Sequence, residues 1–110
     1  MTIKITAQTA AAQSDSFDIN LDNKSLTEAS ISAGNYPLGM TFRVIGGALG
    51  ASEYVKLQYY DGTGWRDANI GGNDGKILDA DNAVRTIYGR MTSIRVNKSV
   101  TSSALGVEVV

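Results

Sequence analysis

Apolar and polar residues alternate with a period of two along much of this chain. In "LGMTFRVI", Leu38, Met40, Phe42 and Val44 share one face, with Thr41 and Arg43 on the other. Val55, Leu57 and Tyr59 alternate with Lys56, Gln58 and Tyr60, and Ile94 and Val96 alternate with Ser93, Arg95 and Asn97. "LGVEVV" sets Leu105, Val107 and Val109 against Gly106 and Glu108. Near the start, Ile3 and Ile5 alternate with Thr2, Lys4 and Thr6, and Phe17, Ile19 and Leu21 with Asp18 and Asn20. Successive side chains of a strand point to opposite faces, so each segment predicts a strand with one buried and one wet face.

Turn chemistry divides these segments. Asp61-Gly62 and Asp74-Gly75 are tight-turn pairs, and Gly34-Asn35, Gly46-Gly47 and Gly71-Gly72 break regular structure. "VKLQYYDGTGWRDANI" predicts a hairpin, one strand to Tyr60, a turn over Asp61 to Gly64 and a second strand from Trp65. Eight or nine short strands are expected, from the segments 2–7, 15–21, 27–33, 38–45, 53–60, 64–70, 83–88, 91–97 and 104–110. Short strands at short spacing predict an all-β fold, a single antiparallel β-sandwich of Ig-like or jelly-roll type over residues 1–110. "SLTEAS" begins like a capping box, but Gly34 ends any helix within two turns. Residues 1–14 carry two readings, the strand 2–7 and a small, polar arm that is flexible or orders on a partner.

Composition removes most chemistry. The chain has no cysteine and no histidine. That excludes disulfides, thiolate metal sites, the serine–histidine triad and the commonest general base. No SxxK pattern or phosphate loop is present, so no enzyme and no cofactor is expected. A formal net charge of −1 gives no overall attraction to nucleic acid or to an anionic membrane, and the apolar runs are too short for a spanning helix. The start has a lysine but no continuous apolar core, so synthesis in a cytoplasm is the expectation.

The stretch from Tyr59 to Asn82 is the least ordinary, with five aspartates and the only tryptophan. Its oxygens suggest calcium, but in "DANIGGNDGKIL" Leu78 stands where an EF-hand needs a glutamate. The aspartates of the 67–82 loop are therefore read as turn formers, with no metal expected. Trp65 is expected in the core or over its open end, with a Trp65–Tyr60 stacking platform as the alternative. Charge is segregated: five acids against Arg66 and Lys76 leave Asp61–Asp81 at −3, while Arg85, Arg90, Arg95 and Lys98 against Glu108 leave 82–110 at +3. Solvated faces explain this; the sharper reading is an acidic edge meeting a basic surface on a neighbouring copy. Trp65, Tyr60, Asp79, Asp81, Arg85, Arg90 and Arg95 are the candidate interface residues.

The "VKLQ" strand, the "DGTGW" turn, Arg95-Val96 and the closing "GVEV" (Gly106 to Val109) resemble small accessory proteins of tailed-phage virions. These are the capsid decoration, or cement, proteins and related Ig-like or jelly-roll modules. The resemblance spans roughly Leu38 to Val110 and carries over no functional residue. It implies a virion protein that stabilises the outer shell, with the major capsid protein or another virion protein as partner. A homo-oligomer, dimer or trimer, is implied too, with no direct nucleic-acid or membrane contact. A carbohydrate-binding sandwich module and a tail or baseplate protein are the alternatives.

Overall fold

A computed structural model of the protein describes residues 2–19, 39–69, 74–88 and 91–109. Among these there is no helix, and the strands are β1 (Thr2–Gln8), β2 (Ala12–Gln13), β3 (Phe17–Ile19), β4 (Gly39–Ile45), β5 (Val55–Tyr60), β6 (Trp65–Asp67), β7 (Lys76–Leu78), β8 (Val84–Tyr88), β9 (Met91–Lys98) and β10 (Leu105–Val109). They form two sheets in which every pairing is antiparallel. The four-stranded sheet has the order β1-β10-β4-β8. In the six-stranded sheet β9 and β5 lie at the centre; β2 and β3 follow one another along β9, and β6 and β7 along β5. Each sheet is thus four strand-lines wide, and the fold is a sandwich.

The alternation places the core as expected. Met40, Phe42, Val44 and Val107 face inward from one sheet, and Val55, Leu57, Ile94 and Val96 from the other, all buried in one cluster. Phe17 packs against Phe42 across the gap at a centroid distance of 6.1 Å, and the Lys4 ammonium lies 4.2 Å above the Phe17 ring. Each fully buried aliphatic side chain contributes about 1.5–3 kcal/mol. Gly106 lets β1 approach β10, because a Cβ there would stand 2.4 Å from the Ile5 carbonyl oxygen.

Breaks in the edge strands are closed by polar groups. Between β2 and β3 the Ser14 hydroxyl accepts from the Val96 N–H at 3.0 Å and donates to the Asp15 carbonyl. Ser93 takes a positive φ of 50°, where the register of β3 on β9 shifts, and its N–H donates to Asp18. At the end of β9, Lys98 is buried at 1% exposure and donates to the Ala10 and Ser99 carbonyls. Burial pulls its pKa down, partly offset by Glu53. The Glu53 carboxylate accepts from the Gly50 and Ser102 N–H groups, so that end of the sandwich is tied by charge-assisted bonds.

The structure corrects several expectations. Lys76–Leu78, read as part of a long acidic connection, is a strand on β5, and Ala12–Gln13 is a second unexpected strand. Of the two readings of residues 1–14, the structure has the strand, since β1 pairs with β10 and β2 with β9. Tyr59 keeps the inward parity, opposite the buried Ile94, yet is 41% exposed. Glu108, expected on a wet face, is buried because β10 is flanked on both sides by β1 and β4. The expected strand 27–33 lies outside the described residues.

Candidate functional site

Within the Tyr59–Asn82 stretch, β6 and β7 form one edge line of the six-stranded sheet, along β5. The β5–β6 hairpin turns where the Asp61 carboxylate accepts the N–H groups of Thr63 and Gly64 at 2.8 and 2.9 Å. Its second oxygen accepts a hydrogen bond from Arg66 Nε–H at 2.7 Å. Arg66 foremost, then those backbone donors, holds the Asp61 carboxyl well below the usual carboxylate range. Beyond β6, Ala68 donates to the Leu57 carbonyl and Leu57 donates to that of Gly75, so β7 resumes the line that β6 leaves. Asp74 and Gly75 re-enter it with φ of 52° and 81°, both in the left-handed region.

Trp65 is half-buried on the outer face of this sheet, opposite Tyr60, and not in the core or over its end. Its position follows from register: Tyr60 has the parity of Lys56 and Gln58, which point outward. The Arg95 guanidinium sits 4.4 Å above the indole, and Tyr60 meets it edge-on at 5.5 Å. Arg95 donates to Gln58, Gln58 to Asp67, and Lys56 pairs with Asp67 at 3.1 Å. Gln58 first, and Lys56 after it, lowers the Asp67 pKa, while Asp67 raises that of Lys56. Tyr60, Trp65 and Arg95 are thus brought together, in a ladder whose polar groups bond to one another.

The remaining candidates lie elsewhere. Asp79 closes the turn from β7 to β8, accepting from the Asp81 and Asn82 N–H groups at 2.9 and 3.0 Å. With Asp81, Glu53 and Lys76 it lines a recess of about 150 Å³, well under the roughly 300–1,000 Å³ of small-molecule sites. Arg85, on β8, donates to the Lys76 carbonyl and so bridges the two sheets at their edge. Arg90 lies outside the described residues. With Asp61, Asp67 and Asp79 each engaged within the chain, the acidic stretch offers a neighbour less charge than its composition suggests.

The outer face of the four-stranded sheet holds residues that sequence reasoning missed. Register aligns Ile3, Glu108, Arg43 and Val84 in one row across all four strands. Arg43 donates through Nε to Glu108 Oε1 at 2.6 Å and through Nη2 to the same oxygen. Ile3 and Val84, at the two ends, are 60% and 53% exposed, and Tyr88, also on β8, is 63% exposed. Tyr88 lies opposite Gly39, whose missing Cβ leaves room for the ring, and Thr41 and Thr86 share a hydrogen bond of 2.7 Å between these rows. The signal was present at 83–88: Val84, Thr86 and Tyr88 fall on the face opposite Arg85 and Ile87, so neither face of that strand is plainly wet.

Comparison with protein-family models, with curated proteins and with solved structures finds no match to this chain.

Proposed function

We propose that this protein is a non-enzymatic structural component of a tailed-phage virion that binds the outside of the capsid shell and ties neighbouring shell subunits together. The supporting observation is the outer face of the four-stranded sheet. It spans roughly 14 Å at the usual strand spacing, and it exposes Ile3, Val84 and Tyr88 around the Arg43–Glu108 pair. Apolar side chains exposed at both ends of a sheet face suit contact with another protein surface. The Arg43 head, fixed by Glu108, adds an oriented polar contact at little entropic cost.

The test is to purify virions of the phage that encodes the chain, identify their proteins by mass spectrometry and label them with gold-tagged antibody. Label on the head exterior is expected, and Tyr88→Glu is expected to lose head binding while keeping its fold. Absence from purified virions overturns the proposal, and label confined to the tail moves the protein to the tail.

A further inference from the structure

Among the described residues, three of the four sheet edges are broken, and the fourth is not. β1 carries two register shifts against β10, and β2 and β3 are split by Ser14–Ser16 and shift on β9. β6 ends at Asp67 and β7 begins at Lys76, two short strands in one line along β5. Such breaks are how sandwiches keep their edges from pairing with other chains. β8 differs: five consecutive residues, Val84 to Tyr88, pair with β4 without a shift, and no described strand pairs with its other side. Four of its five residues, Val84, Thr86, Ile87 and Tyr88, are strand formers. Its one charge, Arg85, is drawn toward β7 by the Lys76 carbonyl.

The direction of its backbone groups follows from one bond. Val44 donates to the Ala83 carbonyl, so Ala83 turns its polar groups toward β4. Along an antiparallel strand these groups alternate sides, so Arg85 and Ile87 also face β4. The Ile87 carbonyl agrees, lying 2.7 Å from where a Cβ on Gly39 would stand. Val84, Thr86 and Tyr88 therefore present their N–H and C=O groups outward.

The geometry points to a two-fold dimer in which β8 pairs antiparallel with β8 of a second copy, centred on Thr86. In this register Thr86 faces its own counterpart and Val84 faces the second copy's Tyr88, so all the outward groups of these three residues are paired. On the outer face the match is threonine with threonine and aromatic with β-branched, both favourable cross-strand pairs. On the inner face Arg85 meets Ile87. Centring the pair on Arg85 instead would oppose two arginines and leave the Tyr88 groups unpaired. In the register centred on Thr86 the edge is complementary to itself, which is the requirement of a two-fold interface. Two four-stranded sheets then join into one. The inference goes beyond the virion role and stands without it.

The chain has no cysteine, so Thr86→Cys introduces a single thiol at the two-fold axis. Facing residues of a hydrogen-bonded pair have Cα atoms about 5.5 Å apart, within the range a disulfide spans. Under mild oxidant Thr86→Cys is expected to convert to a covalent dimer much faster than Thr63→Cys, in the exposed hairpin turn, or Thr6→Cys, on β1. Sedimentation of the unmodified protein is expected to show a monomer–dimer equilibrium. Thr86→Lys, which opposes two like charges, is expected to raise its dissociation constant about tenfold or more. Tyr88→Lys serves in its place if that variant fails to fold, and circular dichroism checks both. A protein that stays monomeric at millimolar concentration overturns the inference. So does a trimer, or a dimer in which Thr86→Cys cross-links no faster than the controls.

Discussion

Replacing Arg43 with methionine should destabilise the protein far more than replacing its partner Glu108 with methionine. The two side chains form one ion pair but differ in surroundings, with the Arg43 side chain 41% exposed and that of Glu108 4% exposed. Glu108 is held between Ile3 on β1 and Arg43 on β4, so without the guanidinium its carboxylate stays buried with no cation. Breaking a buried pair this way costs about 3–5 kcal/mol. Water already reaches Arg43, so the expected loss is discounted to about 2 kcal/mol, or roughly 8 °C in Tm. With Glu108→Met, Arg43 can turn its head fully into solvent and methionine fills the buried volume, so the loss should stay under about 1 kcal/mol. The double variant should match Glu108→Met, giving a coupling equal in size to the Arg43→Met loss, about 2 kcal/mol. Urea denaturation of the four proteins at neutral pH measures all three quantities. Equal losses from the two single variants, or a coupling below about 0.5 kcal/mol, would refute the reasoning.

Gly106→Ala should push β1 off β10, because its Cβ would meet the Ile5 carbonyl oxygen at 2.4 Å. A loss of about 1–3 kcal/mol is expected, with amide exchange accelerating first along Thr2–Gln8. Ser93→Gly should gain about 1 kcal/mol in a melting experiment, since it relieves a left-handed φ of 50° on a side chain that disfavours it. The Asp61 pKa is depressed chiefly by Arg66. Its contribution is therefore present above the ordinary carboxylate pKa of about 3.9 and lost as pH falls through the lower folded value. The Tm advantage of the wild type over Asp61→Asn should accordingly hold from pH 7 to 5 and shrink only in stronger acid. Trp65 is the only tryptophan, so acrylamide quenching of its fluorescence reads the outer face directly; Arg95→Ala should increase it by uncovering the indole.

Local pattern and pairing geometry differ in how far sequence reveals them. Period-two alternation located β1, β4, β5, β9 and β10, because burying one face of a strand leaves a mark at every second residue. The Asp61 turn and its hairpin were equally legible, since the residue types that build the turn are the signal. β7 was hidden because Lys76–Leu78 is too short to alternate, and both Ile77 and Leu78 are buried. Trp65 was misplaced because composition says that a large aromatic is buried but not on which side of a sheet. Only the pairing with Tyr60 decides that, through the outward parity of Lys56 and Gln58. The row Ile3–Glu108–Arg43–Val84 was invisible for the same reason: it joins four strands whose order the sequence does not state.

The open edge and the apolar face meet in β8, and that links the two proposals. Val84 and Tyr88 belong both to the strand offered for pairing and to the exposed face. In the β8–β8 dimer the Val84 of each copy lies beside the other's Tyr88, and the two faces become one continuous surface. A shell bound through that surface would be gripped twice by one rigid body. Second contacts of this kind raise overall affinity by roughly 10²–10⁴ without any new chemistry. Thr86→Lys keeps Ile3, Val84 and Tyr88 but sets a lysine on the same face, and it should weaken shell binding by a similar factor if pairing supplies the second grip. Tyr88→Glu should weaken it further, by removing a contact as well. If Thr86→Lys is monomeric and still binds shells as tightly as the wild type, the face works alone and the edge serves some other contact.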